Sequence, residues 1–324
     1  MIQADKSLFN GYKFIDLFAG IGGFHLALNS FGAECVFASE WDKEATQTYS
    51  ENFSSVPEGD ITLIDEKDIP QHDIICGGFP CQAFSVAGNQ KGFDDTRGTL
   101  FFDIARIINY HRPKIVFLEN VKNIEKHNDG KTIEIILNTL DELGYVVFHK
   151  VLNSSNYGLP QNRERIYFVG YRKDLGVKKF SFPKPPNTIV SIKDILENEP
   201  TNVKFIDRPD INIYKTFSNL FDLTYNRPLQ IGKVNKGGQG ERIYDVNGHG
   251  ITLSAYGGGI GAKTGLFLIN DKIRKLTPRE CARVQGFPDT FIINKKINQA
   301  YKQFGNSVSV NVLQYILKEI HKYL

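Results

Sequence analysis

The chain has 324 residues, with 39 Lys and Arg against 36 Asp and Glu, a formal charge of +3. At 41% hydrophobic and 23% charged it is neither disordered nor a disulfide-stapled mini-protein, and it can fill one large core or two domains. That mild balance excludes a histone-like tail or a polybasic membrane binder. No run approaches the ~18 apolar residues of a membrane helix, and the N-terminus has no signal-peptide core, so a cytoplasmic protein without a membrane partner is expected. Four cysteines without metal-ligand spacing predict neither disulfide nor metal site.

In chain order, residues 14–18 (FIDLF) read as a buried strand, followed by a Gly-rich turn and helical spacing over 24–31. Residues 34–39 give a second strand and 41–52 a second helix. A strand at 73–76, a helix at 100–110, a strand at 114–118, a helix at 132–143 and strands at 145–152 and 165–170 follow. This alternation indicates an α/β domain built on a doubly wound, mostly parallel sheet. The texture changes near FPKPP at 182–186 and becomes rich in Asn, Gly and short β-prone runs. The division expected is 1–190 for the sheet domain and 191–278 for a smaller, irregular β-rich domain. A return segment at 279–305 and a terminal helix at 306–324 rejoining the first domain complete it.

Several strand ends carry chemistry. DLFAGIGG at 16–23 is a strand-to-helix turn whose Gly20, Gly22 and Gly23 admit close backbone approach to a ligand. Glu40 ends the next strand, where nucleotide-binding folds place an acid on ribose hydroxyls, and Asp60 can accept from an adenine amino group. His25 stands where a dinucleotide fingerprint would have its third glycine, so the turn suits an adenosyl ligand better than a pyrophosphate. Cys81 follows GGFP in an exposed loop and is a candidate nucleophile. Cys35, Cys76 and Cys281 read as buried small hydrophobes. The polar, Gly-punctuated stretch 83–99 reads as a lid or binding loop. Glu119, past the apolar run 115–118, is a candidate proton donor. Arg163 and Arg165 alternate with period two, which predicts both on one face.

Together these residues resemble the cytosine-5 DNA methyltransferase family. The carriers are DLFAGIGG, GGFPCQAFS around Cys81, ENV at 119–121, QNRER at 161–165, RECARVQGFPD at 279–289 and AYKQFGNSV at 300–308. They stand in family order and span almost the whole chain. Likeness to a small bacterial member extends through KGGQGERIY at 236–244 and ITLSAYGGG at 251–259. The main departures lie between about 187 and 233, and at Ala87, where that member has Ser.

The resemblance implies a methyltransferase Rossmann-like fold with a target-recognition domain, and catalysis by Cys81, Glu119, Arg163 and Arg165. Cys81 would attack carbon 6 of a flipped-out cytosine, and Glu119, held by Arg165, would protonate ring nitrogen 3. The methyl donor implied is S-adenosyl-L-methionine, which leaves S-adenosyl-L-homocysteine. Its site would comprise Phe18, Gly20, Ile21, Gly22, Gly23, Glu40, Trp41, Asp60, Ile61, Gly78, Phe79, Pro80, Leu100, Asn306, Ser307 and Val308. Double-stranded DNA would meet Ser85, Gln239, Glu241, Arg242, Thr252, Tyr256, Gly257 and Gly258, with GCGC as target. A monomer of bacterial or phage origin, with a separate restriction endonuclease, is expected; an RNA cytosine methyltransferase is the alternative.

The charge is segregated. Residues 227–283 hold ten basic and four acidic side chains, an excess of six, while the rest balance to −3. The later part of the recognition region and its flank thus carry the phosphate-binding excess.

Overall fold

The computed structural model describes residues 5–80, 100–201, 203–214 and 226–324. The chain divides into two units: one of residues up to 152, 164–183 and 313–324, the other of 153–163 and 184–312. The division is not linear, because the chain leaves the first unit after Leu152 and returns to it at Glu164.

The first unit contains strands β1 (Lys13–Leu17), β2 (Glu34–Ser39), β3 (Ile74–Gly78), β4 (Ile115–Val121), β5 (Tyr145–Asn153) and β6 (Glu164–Arg172). Between them run α1 (Gly23–Ser30), α2 (Lys43–Phe53), α3 (Leu100–His111) and α4 (Lys131–Glu142). Among the described residues the sheet has the order β2-β1-β3-β4-β6-β5. The four strands β1 to β4 are parallel, and β6 is antiparallel to β4. From β1 the chain winds outward to β2, then crosses back to β3 and on to β4. The winding therefore reverses between β1 and β3, which opens a crevice at their carboxyl ends.

Local sequence explains these elements. Six of the seven β4 residues are buried, the signature of a strand covered on both faces. α3 buries Phe101, Ile104, Ala105, Ile107, Ile108 and His111, a stripe at helical spacing. Each buried large apolar side chain contributes about 1.5–3 kcal/mol relative to exposure. α2 starts two residues later than periodicity predicts, because Asp42 stays extended and caps the Glu44 and Ala45 amides at 3.0 and 3.2 Å. α1 has Gly22 at its N-cap, which has no side chain for that task. Buried Asp16, on β1, instead accepts from the His25 amide at 3.2 Å.

The second unit contains β7 (Phe205–Ile206), β8 (Asn212–Ile213), β9 (Gln230–Lys233), β10 (Arg242–Asp245), β11 (Leu266–Ile269) and β12 (Lys272–Arg274). Its sheet has the order β7-β12-β11-β10-β9-β8, antiparallel except for β10 and β11. Ile231, Val234, Ile243, Leu266 and Ile273 form its small apolar core. Helices α5 (Pro278–Gln285) and α6 (Ile297–Asn306) follow. The last helix, α7 (Val310–His321), begins in this unit and continues into the first. There Gln314 donates to Ser30 Oγ at 3.0 Å, and the Tyr171 hydroxyl donates to the Ile320 carbonyl at 3.2 Å.

Candidate active site

The crevice edge is built from the turns after β1, β2 and β3. After β1, Phe18 and Gly20 take φ of 55° and 56°, and Gly22 takes 84°. The glycines serve different ends. A Cβ on Gly22 would stand 2.1 Å from Phe53 Cε2, so this glycine is demanded by packing. A Cβ on Gly20 would meet nothing within 4 Å, so its surroundings are open to a ligand. Glu40 crosses from the end of β2 and accepts from the Gly20 amide at 2.8 Å through Oε2, and from the Asp42 amide at 2.8 Å through Oε1. Burial pushes its carboxyl upward, against the pull of those amides. Trp41 beside it is 79% exposed, an unusual state for an indole and one that leaves its face to a ligand.

Asp60 caps a single 3-10 turn, Ile61–Leu63, through Oδ1, which accepts from the Thr62 amide at 3.0 Å and the Thr62 hydroxyl at 2.9 Å. Both bonds fall on one oxygen, so Oδ2 is left to accept from a ligand. Ile61 is buried. Gly78 ends β3, Phe79 is buried and Pro80 is exposed, while Leu100 opens α3 half-buried. The adenosyl-site expectations at Phe18, Gly20–Gly23, Glu40, Trp41, Asp60, Ile61, Gly78–Pro80 and Leu100 all fall in this unit. Asn306, Ser307 and Val308 belong to the other one.

Glu119 lies on β4 next to Gly78 in the parallel register and opposite Tyr167 on β6. Arg165 faces Val121 in the same ladder. Residues two apart share a face, so Arg165 is the diagonal neighbour of Glu119. Its Nε stands 3.1 Å from Glu119 Oε1, with both side chains largely buried. Asn120 points to the other face, where its Nδ2 donates to the Phe79 carbonyl at 2.9 Å and fixes the chain leading toward position 81. It is the middle residue of the ENV segment at 119–121. Cys81, Ser85 and Ala87 lie outside the described residues. The other thiols are poor nucleophiles: burial pushes Cys35 up to about 12 and Cys76 and Cys281 well above the usual thiol range.

Arg163 does not share a face with Arg165. It precedes β6 and belongs to the other unit, so the period-two alternation does not extend to it. Its buried guanidinium donates to the carbonyls of Leu253 at 3.2 Å, Gly305 at 3.2 Å and Ser307 at 2.7 Å. Two of these close the C-terminal end of α6, where carbonyls lack helical partners. Gln161, Gln285 and Ser309 extend the same buried network. The polar residues of the QNR, QGF and GNS segments therefore tie the second unit together.

That unit also carries the two glycine loops. Gln239 and Arg242 are exposed, and Tyr256 is 75% exposed. Gly240 accepts from the Gly261 amide at 2.7 Å, and a Cβ on it would stand 2.2 Å from the Gly258 carbonyl oxygen. The loops are thus joined through Gly240. Glu241 is held within its own loop: Oε2 accepts from the Gly238 amide and Oε1 from Asn235, each at 2.9 Å. Those bonds hold its carboxyl below the usual range. Thr252 donates to the Asn162 carbonyl at 2.6 Å, while Gly257 and Gly258 are exposed.

The C-5 cytosine-specific DNA methylase family model matches residues 12–322. The chain is 55% identical over 322 residues to the type II methyltransferase M.HhaI of Haemophilus parahaemolyticus, covering 99% of this chain and 97% of that protein. It is 44% identical over 339 residues to M.HpaII of Haemophilus parainfluenzae, covering 98% and 91%. Two solved structures share its fold. A prophage-encoded DNA modification methyltransferase of E. coli has a TM-score of 0.72 at 24% identity, covering 96% of this chain and 99% of that one. The S. pombe Dnmt2 methyltransferase has 0.69 at 21% identity, covering 97% and 98%.

Proposed function

The chain belongs to the C-5 cytosine-specific DNA methylase family and is a DNA cytosine methyltransferase; on that premise we propose that it methylates carbon 5 of the first cytosine in GCGC, with Cys81 as nucleophile. The observation that carries this reading is the Glu119–Arg165 pair at the carboxyl end of β4, beside the strand that leads to Cys81.

A stacked cytosine is unreachable, so it is flipped into the pocket at a cost of a few kcal/mol. Cytosine is a weak electrophile, and a thiolate alone would load negative charge onto the ring. The Cys81 thiolate bonds to carbon 6 while Glu119 delivers a proton to ring nitrogen 3, which quenches that charge. Arg165 orients the Glu119 carboxyl and can donate to the ring oxygen. Carbon 5, made nucleophilic, would take the methyl group; a water then takes the carbon-5 proton, nitrogen 3 returns its proton to Glu119, and Cys81 leaves as the thiolate. Gln239, at the exposed loop tip, fills the gap in the duplex, and Arg242 reads a guanine edge with paired donors.

The residues present fit S-adenosylmethionine, since Gly20 is open and Asp60 keeps an acceptor oxygen. Glu40, Trp41, Asp60 and Ile61 hold the adenosyl part, with Phe18, Phe79 and Leu100 as walls. When bound, this cofactor supplies the methyl group. The protein acts as a monomer, and its biological setting is a restriction–modification pair.

Bisulfite sequencing of plasmid from cells expressing the protein tests the target. Protection of the first cytosine of GCGC is expected; modification of another motif, or of none, would sink the reading. A covalent adduct with 5-fluorocytosine DNA that survives Cys81→Ser would overturn the mechanism.

A further inference from the structure

We propose that Arg106 is a positioning residue for the methyl donor, setting the separation of the two walls of the β1–β3 crevice. This rests on the cofactor site proposed above. Arg106 sits on α3, whose first residue, Leu100, is one of those walls. Its guanidinium spends three nitrogens in three directions. Nε donates to Asp103 Oδ1 at 3.0 Å on the same helix, which fixes its plane. Nη1 donates to Glu66 Oε2 at 2.8 Å, and Nη2 to the Ile61 carbonyl at 2.6 Å. Ile61 directly follows Asp60, and its turn is the one Asp60 caps.

One side chain therefore joins the segment expected to hold the adenine to the helix that Leu100 opens. The same helix reaches the third component, since the Phe101 ring lies 5.8 Å from that of Phe79. A planar fork with three fixed directions suits this task, whereas the single ammonium of Lys cannot meet all three acceptors. A second latch lies at the far end of α3, where His111 Nε2 bonds the Glu66 carbonyl at 2.7 Å and Gln71 donates to the His111 carbonyl at 3.1 Å. That latch keeps the 61–71 segment on α3 when Arg106 is removed, so loss of Arg106 shifts the Ile61 turn without unfolding the unit.

The experiment compares calorimetric titration with S-adenosylhomocysteine and steady-state transfer to duplex DNA for the full chain. Arg106→Ala should raise the S-adenosylhomocysteine Kd and the S-adenosylmethionine KM about tenfold, as expected for hydrogen bonds to charged groups. The DNA KM and kcat should stay within about threefold, a split that general loosening would not produce. Arg172→Ala, which removes an ion pair elsewhere in the unit, is the control and should leave cofactor affinity unchanged. Glu66→Gln weakens the same clamp more gently and should move cofactor affinity in the same direction, which covers the case of an insoluble Arg106→Ala. If Glu40→Ala and Asp60→Ala raise the Kd but Arg106→Ala and Glu66→Gln do not, the inference is overturned and the cofactor site stands. Equal losses in Arg172→Ala and Arg106→Ala would also overturn it. If Glu40→Ala and Asp60→Ala leave the Kd unchanged, the cofactor site falls and the inference with it.

Discussion

Arg165 holds Glu119 from one step along the neighbouring strand, with Nε 3.1 Å from Oε1 on the diagonal of the β4–β6 ladder. The antiparallel register makes this contact, and both groups are fixed by strands on either side. Glu119→Gln keeps the shape and removes the proposed proton donor, so kcat should fall about 10²- to 10⁴-fold. Arg165→Ala should lose a comparable amount, and the double variant little more than the worse single one, because the pair acts as a unit. Transfer of labelled methyl to duplex DNA measures this; additive losses would show that the two act separately.

Gly20 and Gly22 separate ligand approach from packing. Gly20→Ala adds a methyl group into open space at positive φ, a strain of about 1 kcal/mol. Its main effect should be a raised cofactor KM in a folded protein. Gly22→Ala drives a methyl group into the Phe53 ring and should cost at least about 2 kcal/mol of stability. Urea denaturation and cofactor titration on both variants distinguish the outcomes.

Buried titratable groups set the pH of greatest stability. Burial pushes the Asp16 carboxyl up to about 8, so the fold keeps a proton that the unfolded chain has lost above its ordinary value of 3.8. Stability from this group therefore falls as pH rises toward 8. Burial lowers His25 and His72 to about 4 from an ordinary 6.5, and there the unfolded chain binds the extra protons. Stability from these two rises with pH between those values. Opposed slopes predict an optimum near pH 6.5. Asp16→Asn keeps an acceptor for the His25 amide and should flatten the decline between pH 6.5 and 8, read as urea midpoints.

Arg163→Ala would strip three carbonyls of a buried donor. About 3 kcal/mol or more should be lost, since each buried unmet group costs about 1–3 kcal/mol. Arg163→Lys should recover only part. Denaturant midpoints check this, and a fully stable Arg163→Ala protein that has lost only activity would show a direct catalytic role.

Gly240→Ala would force the two glycine loops apart at the Gly258 carbonyl. DNA affinity should fall about tenfold, a loss typical of one good base contact, while S-adenosylhomocysteine affinity stays unchanged. Gel-shift titration with cognate and scrambled duplexes reads both affinity and discrimination.

Local pattern alone is enough to place the strands β1 to β4, the helices between them and Glu40 just past β2, but it ends β4 at 118, whereas the ladder runs on to Val121 and takes Glu119 into it. Alternation, helical spacing and glycine placement are local properties, and they act over a few residues. A local signal was also present for α5, where Thr277, Pro278 and Glu280 form a capping box and Gly286 ends the helix. Packing, not local pattern, sets where each buried charge finds its partners. Arg163 bonds residues 90, 142 and 144 positions away, and Arg106 joins segments 40 and 45 positions apart. A guanidinium removed from water must be satisfied by whatever acceptors packing brings to it, and no periodicity in the chain names them in advance. The same reason split two arginines that sequence placed side by side: Arg165 entered a strand and met a carboxylate, while Arg163 stopped one residue short and closed a helix end.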